Sequence, residues 1–310
     1  MACSFVSFGG PAQCRRRQWN ASAVDVQVQR RAGQSGRPLL VYFAGTDAKV
    51  LPNNQLLKAP EAMSIASVTH GPKDRSDWAV LSAASRAAIR KLQRQEEPSE
   101  VIVVGESLGT LFALSAVCAD PTIADRLVLI NSSTAFQRTP LLRYGAPLLP
   151  ILKVDRSGKF LYPLAAVILW RFLTNSKQLA AENVTTGALL SLPAVDINEV
   201  PLETTIHRLR LMRYPKITKE DLEELNVPTL IIASGRDRVF NSVEEAQRLR
   251  KLIKRSMVQV LPKSGHACLL EGSVDLFAVL RGHDFIARSQ RPQLPQMPSE
   301  DQATEVISRE

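Results

Sequence analysis

Short apolar runs alternate with stretches of helical periodicity along most of the chain. Runs rich in Val, Ile and Leu predict buried strands at residues 39–44, 63–69, 101–104, 127–130, 230–233 and 258–261. Apolar positions spaced three and four apart predict helices at residues 78–92, 242–251 and 274–280. Residues 108–118 are apolar almost all round, which is typical of a helix in the middle of a structure. This alternation predicts an α/β protein with a mostly parallel central sheet and helices on both faces.

Two of these helices carry polar residues suited to their N-terminal ends. Ser76 or Asp77 can cap the helix at 78–92. Ser242 and Glu245 have the spacing of a capping box at the start of the helix at 242–251. We expect both helices to begin at these positions.

The alternation stops between residues 134 and 222, which are rich in Leu and Pro. We interpret this stretch as a helical lid inserted between two strands of one domain that spans residues 38–287. Its leucines favour an apolar substrate channel over a site for a sugar or a phosphate. The Pro/Gln-rich, charged residues 288–310 predict a disordered C-terminal tail.

The sharpest chemical signal is the pentapeptide GESLG at residues 105–109, which follows one predicted strand and precedes a predicted helix. A serine nucleophile must protrude from a strained turn between strand and helix, and flanking glycines remove side chains that would collide there. The N-terminus of the helix then directs backbone amides at the negative charge that forms during attack. Ser107 is therefore the candidate nucleophile.

A serine hydroxyl needs a base, and the base needs an acid that orients it. Asp237 and His266 each lie just past the end of a predicted strand, and they follow Ser107 in the order of the α/β-hydrolase fold. Because sites in open parallel sheets form at the carboxyl ends of the strands, the three side chains can meet. Asp47 is a rival acid, and either Asp237 or His266 taken alone could be an ordinary loop residue. The other histidines, His70, His207 and His283, lack this context.

The oxyanion hole of such a site needs two backbone amides. One belongs to Leu108, directly after the nucleophile. The loop after the first predicted strand supplies the other, and we assign it to Thr46. We expect no cofactor, because the sequence offers no Gly-rich phosphate loop and no cluster with metal-ligand spacing.

The net charge of +9 is concentrated near the N-terminus. Residues 1–37 contain six Arg and one Asp, a charge of +5, which leaves +4 for the remaining 273 residues. The body therefore lacks the basic stripe of a nucleic-acid-binding protein. The composition of residues 1–37 is typical of an organelle transit peptide, with a disordered basic tail as the alternative, and it does not separate chloroplast from mitochondrion.

Cysteine usage and hydropathy limit the compartment further. The four cysteines form no metal motif, and Cys118 and Cys268 are expected to be small buried side chains in a reduced compartment. No apolar run reaches the roughly 18 residues that span a bilayer. We expect a soluble protein or one in peripheral contact with a lipid droplet or membrane surface.

The chain resembles the hydrolase half of the plastid phytyl ester synthases, esterase-, lipase- and thioesterase-like proteins associated with plastoglobules. The matching segments are LVYFAGTD (40–47), IVVGESLG (102–109), VLINS (128–132), LIIASGRD (230–237), EEAQRL (244–249) and GHACLLE (265–271). The resemblance implies acyl transfer between lipid esters or acyl donors and an isoprenoid or glyceride alcohol, in a chloroplast. It also implies that the N-terminal tail is a plastid transit peptide.

Two departures limit what the resemblance carries over. The family's loop has Pro and Gly where this chain has Ala44 and Ala48. Full-length members continue into a second acyltransferase domain with an H-x-x-x-x-D motif, and this chain contains no such motif. The expectation is therefore a serine hydrolase or acyltransferase that acts on lipid esters through an acyl-serine intermediate. The alternative is a non-catalytic lipid-binding scaffold with the same fold.

Overall fold

One sheet of eight strands runs through the part of the chain that the computed structural model describes, residues 15–17, 25–30, 35–45, 50–139 and 202–287. In chain order the strands are β1 (Arg15–Arg17), β2 (Asp25–Arg30), β3 (Leu39–Phe43), β4 (Ser64–Thr69), β5 (Val101–Glu106), β6 (Arg126–Ile130), β7 (Thr229–Ser234) and β8 (Ser256–Leu261). Across the sheet they lie in the order β1-β2-β4-β3-β5-β6-β7-β8. The pairs β1–β2 and β2–β4 are antiparallel and the other five pairs are parallel, so the predicted mostly parallel sheet is confirmed.

Helices cover both faces of this sheet. In the described ranges they are α1 (Asn53–Leu56), α2 (Trp78–Glu96), α3 (Leu108–Ala119), α4 (Leu202–Arg213), α5 (Lys219–Glu224), α6 (Ser242–Leu252) and α7 (Leu276–Gly282). Because successive strand residues point to opposite faces, Val103 belongs to the core under α2, α3 and α6, and Val104 belongs to the core under α7. The central strands are buried on both sides, which is why they read as continuous apolar runs.

Both helices begin at the predicted residues, Trp78 and Ser242, but only one of the two predicted caps forms. Asp77 caps α2, and its carboxylate accepts a 3.0 Å bond from the Val80 amide. The capping box predicted for α6 is wrong: the N-cap residue is Asn241, which makes no side-chain cap bond. The Glu245 carboxylate instead forms an ion pair with Arg248, in which Arg248 Nη2 lies 2.5 Å from Glu245 Oε1. This ion pair takes the place of the predicted cap bond. The Ser242 hydroxyl turns toward Asp237.

Strand β2 lies within the stretch that we assigned to the N-terminal tail. It pairs with β4, and Val26 is buried in the core. The Gln29 side chain donates a 2.9 Å bond to the Leu51 carbonyl and accepts bonds from the Leu51 amide and the Ser67 hydroxyl. The sheet therefore begins before residue 38, the predicted start of the domain.

The residues between β6 and β7 include a 3-10 helix (Ser133–Arg138), α4 and α5. The Trp78 indole of α2 donates bonds of 3.2 and 3.1 Å to the carbonyls of Leu211 and Tyr214, which fixes the end of α4. Residues 140–201 lie outside the described residues, so the inserted lid stays a prediction. The same holds for the predicted C-terminal tail and for residues 1–14. None of the described helices combines the length and the apolar character needed to cross a membrane.

Candidate active site

Ser107 occupies a strained turn between β5 and α3. Its backbone has φ +52° and ψ −119°, in the left-handed half of conformational space that costs a non-glycine residue about 1–3 kcal/mol. A Cβ on Gly109 would lie 2.1 Å from the Phe43 carbonyl oxygen, and a Cβ on Gly105 would lie 2.6 Å from the Gly109 carbonyl oxygen. The GESLG pattern therefore has a steric cause: β5, α3 and the end of β3 can meet this closely only where both glycines stand.

Hydrogen bonds around Ser107 hold this turn in place. Its amide donates a 2.9 Å bond to the Ile130 carbonyl at the end of β6. Its carbonyl accepts bonds from the Thr110 amide (3.0 Å), the Thr110 hydroxyl (2.6 Å) and the Ser133 hydroxyl (2.9 Å). The surrounding structure thus fixes the serine in its unusual conformation.

The three predicted side chains meet in one hydrogen-bonded chain. His266 Nε2 lies 2.9 Å from Ser107 Oγ, and His266 Nδ1 lies 2.8 Å from Asp237 Oδ2. His266 is 5% exposed. Three residues separated by 130 and 29 positions in the sequence therefore converge at the carboxyl edge of the sheet.

Asp237 receives an unusual number of donors. Its Oδ1 accepts the amides of Val239 (2.8 Å) and Phe240 (3.0 Å), while Oδ2 accepts His266 and the Ser242 hydroxyl. Burial alone would raise the pKa of this carboxyl. The attraction of His266 and the hydrogen bonds outweigh burial and lower the pKa below its ordinary value. Asp237 is thus held as a carboxylate that faces the imidazole.

Asn131 supports His266 from the end of β6, and the sequence analysis missed it. Its backbone also has a positive φ of 46°, and its side chain is fully buried. The side-chain nitrogen donates to the His266 carbonyl (2.6 Å) and the Ser234 hydroxyl (2.9 Å), and its oxygen accepts the Ser234 amide (2.8 Å). A signal was available, because Asn directly after an apolar strand is one of the few residues that tolerate a positive φ.

A second buried carboxyl, Glu106, lies next to the serine. It is 7% exposed and accepts a hydrogen bond from the hydroxyl of fully buried Tyr42 on β3. Burial raises the pKa of Glu106, and the hydrogen bond from Tyr42 and the attraction of His266 offset that rise only in part. Burial, followed by the charge of Glu106, raises the pKa of Tyr42 well above its usual value.

The oxyanion hole is only partly within the described residues. Leu108 is the first residue of α3, so its amide has no partner within the helix. Thr46 and the rival acid Asp47 lie outside the described residues. Gly45, just before them, approaches the nucleophile: a Cβ on Gly45 would lie 3.3 Å from the Ser107 Cβ. The loop after β3 therefore starts beside the serine.

The other three histidines have partners away from Ser107. The His70 ring stacks on Phe112 with centroids 3.9 Å apart, and burial, followed by the charge of Arg208, lowers its pKa to about 3. His207 Nε2 lies 2.9 Å from the Ser76 carbonyl oxygen, and His283 bonds Gln259. Within the described ranges, no group of three or more His, Cys, Asp or Glu side chains could hold a metal ion.

Residues 28–279 match the model of a protein family described as the alpha/beta hydrolase family. The chain is 27% identical over 272 residues to phytyl ester synthase 1, chloroplastic, of Arabidopsis thaliana, a match that covers 82% of this chain and 38% of that protein. It is 25% identical over 277 residues to phytyl ester synthase 2, chloroplastic, of the same plant, covering 84% of this chain and 39% of that protein. The chain thus spans less than half the length of the curated relatives that it matches.

Solved structures share the fold. MGS-M2, an alpha/beta hydrolase enzyme from a Medee basin deep-sea metagenome library, superposes with a TM-score of 0.69 at 15% identity. The match covers 88% of this chain and 99% of that one. At this identity the likeness concerns the fold alone.

Proposed function

The chain belongs to the alpha/beta hydrolase family, and on that premise we propose that it transfers acyl groups of lipid esters through an acyl-serine intermediate. Ser107 is the nucleophile, His266 the general base and acid, and Asp237 the acid that orients His266. The single observation that carries this proposal is the unbroken hydrogen-bonded chain from Asp237 Oδ2 through the imidazole to Ser107 Oγ.

The first half of the reaction acylates the serine. Ser107 Oγ attacks the ester carbonyl carbon while His266 Nε2 accepts the hydroxyl proton, and the carbonyl electron pair moves onto oxygen. The ionised Asp237 stabilises the imidazolium that forms. As the tetrahedral intermediate collapses, the C–O bond to the alcohol breaks, and the imidazolium gives its proton to the leaving oxygen.

Two backbone amides stabilise the oxyanion in this scheme. Leu108 supplies one from the N-terminus of α3, and we assign the other to Thr46 in the loop that begins beside the serine at Gly45. Donors already aimed at the developing charge need no rearrangement during the reaction. Loss of one such donor typically costs about 3 kcal/mol of transition-state stabilisation.

The second half of the reaction returns the free serine. His266 takes a proton from the acceptor, whose oxygen attacks the acyl carbon, and Ser107 leaves with the proton that the imidazolium donates. Water as acceptor gives hydrolysis, and a long-chain alcohol gives a new ester. Exclusion of water above the site decides between them, which is the role that we propose for the Leu-rich stretch at residues 134–222.

An apolar substrate and a plastid location are the finer parts of the proposal. Both curated relatives are named as chloroplastic phytyl ester synthases. The many leucines of residues 134–222 also favour a substrate with an apolar acyl chain. We propose an apolar ester or acyl donor as the substrate, within a chloroplast and in contact with a lipid surface.

An active-site-directed fluorophosphonate tests the nucleophile in the full chain. We expect the wild type to be labelled and Ser107→Ala to be spared. Ser99→Ala is the matched control, because this exposed serine lies just before the opposite end of β5, and it should label like the wild type. An unlabelled wild type, or equal labelling of Ser107→Ala, would overturn the assignment.

Turnover separates the catalytic proposal from a lipid-binding scaffold. With a long-chain acyl ester, His266→Ala should retain no more than about 10⁻³ of the wild-type rate, because the serine loses its base. Equal turnover by the two proteins would favour the scaffold. Product analysis with and without added phytol identifies the acceptor, since free fatty acid reports water and a phytyl ester reports alcohol.

A further inference from the structure

Asn131 lies between the segments that carry the nucleophile and the acid. It directly follows β6, which pairs with β5 on one side and with β7 on the other. On the β5 side, the Ser107 amide donates its 2.9 Å bond to the carbonyl of Ile130, the residue before Asn131. On the β7 side, the Asn131 amide donates a 3.0 Å bond to the Ile232 carbonyl. The backbone around Asn131 therefore joins the strand end that leads into the nucleophile to the strand end that leads into the acid.

The side chain of Asn131 extends this connection to the base. Its nitrogen carries two N–H donors, which bond the His266 carbonyl at 2.6 Å and the Ser234 hydroxyl at 2.9 Å. Its oxygen accepts the Ser234 amide at 2.8 Å. Ser234 is the last residue of β7, and its carbonyl accepts the Asp237 amide at 3.4 Å. One side chain therefore bonds both the main chain of the base and the residue at which the loop of the acid begins.

These bonds require an amide at position 131. The side chain is fully buried, where a polar atom without a partner is costly. A carboxylate of the same shape would place an oxygen against the His266 carbonyl oxygen, and neither atom could donate. The positive φ of 46° further favours a residue that tolerates left-handed backbone. Asn meets both requirements.

The placement of His266 matters because its ring bonds two partners at once. Nδ1 lies 2.8 Å from Asp237 Oδ2, and Nε2 lies 2.9 Å from Ser107 Oγ. A displacement of about 1 Å between reacting groups can lower a rate about 100-fold. The bond from Asn131 to the His266 carbonyl holds the main chain from which this ring projects.

We propose that Asn131 is a positioning residue, which holds the main chain of His266 so that its ring contacts Ser107 and Asp237 together. This inference rests on the proposed function, because it assigns Asn131 a role through the base of that reaction. Asn131 acts through the backbone of His266 and takes no part in the proton transfers themselves. Its substitution should therefore slow the reaction only while His266 is the base.

The test uses two substitutions that suit the same backbone conformation. At neutral pH, Asn131→Asp keeps the shape of the side chain and lacks its N–H donors, while Asn131→Gly removes the side chain and adds no charge. With the full chain and a long-chain p-nitrophenyl ester, we expect kcat to fall about 30-fold in each variant. The rate constant of fluorophosphonate labelling should fall with kcat, because Ser107 Oγ is the attacking atom in both reactions.

Thr229→Val is the matched control. Thr229 is a buried residue at the opposite end of β7, and its hydroxyl donates a 2.8 Å bond to the Val227 carbonyl. The substitution removes this buried hydrogen bond at nearly constant volume. It should lower thermal stability and leave kcat within about twofold of the wild type.

Removal of the base distinguishes positioning from a general structural role. In His266→Ala, imidazole added to the solution can serve as a freely diffusing base. Adding Asn131→Asp or Asn131→Gly to this background should change the imidazole-dependent turnover by less than about twofold, because no attached ring remains to be misplaced. A loss of the same factor in both backgrounds would show that Asn131 acts through stability or through the turn at Ser107, and it would overturn the proposal.

The outcomes separate this inference from the proposed function. If the wild type labels and turns over while both variants fold and keep kcat within about twofold, the role of Asn131 is refuted and the triad stands. A loss confined to Asn131→Asp would report the introduced charge and would also refute the role. If one variant does not fold, the other decides, together with its counterpart in the His266→Ala background. If the wild type neither labels nor turns over, the proposed function fails and this inference fails with it.

Discussion

The loop after β7 and the end of β5 each place a buried carboxyl at the carboxyl edge of the sheet, and the two surroundings act on the carboxyl in opposite ways. In the loop, Asp237 accepts two backbone amides, a serine hydroxyl and the imidazole. At the end of β5, Glu106 accepts one phenol. Burial acts against ionisation in both places, yet the pKa of Asp237 is lowered and the pKa of Glu106 is raised.

The difference teaches that the number of donors, rather than depth, decides the charge of a buried acid here. Loop backbone can turn several amides toward one carboxylate, whereas the amides of a central strand are already used in the sheet. An orienting acid that must stay ionised is therefore better placed in a loop than on a strand.

Asp237→Asn should produce the largest effect. The amide accepts fewer charge-assisted bonds and no longer stabilises the imidazolium or fixes its tautomer, so kcat should fall about 10⁴-fold. Steady-state kinetics with an acyl ester measures this. Asp275→Asn is the control, because Asp275 also accepts a backbone amide, that of Ala278, as the cap of α7. If kcat of Asp237→Asn falls less than tenfold, the negative charge of this side chain does not determine the rate.

Ser242→Ala should have a smaller effect in the same region, since it removes one of several donors to Asp237. We expect kcat/KM to fall about fivefold, in line with the loss of one hydrogen bond to a charged group. Ser82→Ala removes another buried hydroxyl, one that donates to the Ser115 carbonyl in the helical layer, and should reduce stability without changing kcat/KM. Equal kinetic losses in both variants would show that Ser242 acts only through stability.

The smallest expected effect is on stability, and it has opposite signs at the two carboxyls. A lowered native pKa means that Asp237 contributes stability above its ordinary pKa and loses it as the pH falls through the native value. A raised native pKa means that wild-type Glu106 loses stability as the pH rises from its ordinary pKa through the native one. The free energy of unfolding, measured by urea from strongly acidic to neutral pH, should therefore change with pH in opposite directions for Asp237→Asn and Glu106→Gln, each relative to wild type. Parallel curves would contradict the contrast between the two sites.

Much of the fold and of the candidate site was predictable because each rests on a local pattern. Continuous apolar runs fixed the central strands, and the α/β-hydrolase fold is confirmed by the observed sheet and the family match. Ser107 followed from its flanking glycines, and Asp237 and His266 followed from their positions after strands. The contact between these side chains depends on the tertiary structure, which the spacing in the sequence permits but does not determine.

The rest depended on partners distant in the sequence or on signals hidden by composition. Asn131 forms hydrogen bonds to residues more than 100 positions away in the sequence. Glu106 accepts a hydrogen bond from Tyr42, which lies on another strand. Ser242 looked like a cap because local spacing cannot reveal Asp237 as a competing acceptor. Strand β2 has alternating Val26 and Val28, a strand signal that the basic composition around it obscured.

Strand β2 also decides where this polypeptide can be shortened. Without Asp25–Arg30, β4 would become an edge strand whose unpaired amides and carbonyls could pair with other chains. Leu51, which precedes α1, would lose both of its bonds to Gln29. A researcher who designs a minimal version for crystallisation therefore has to cut ahead of Asp25.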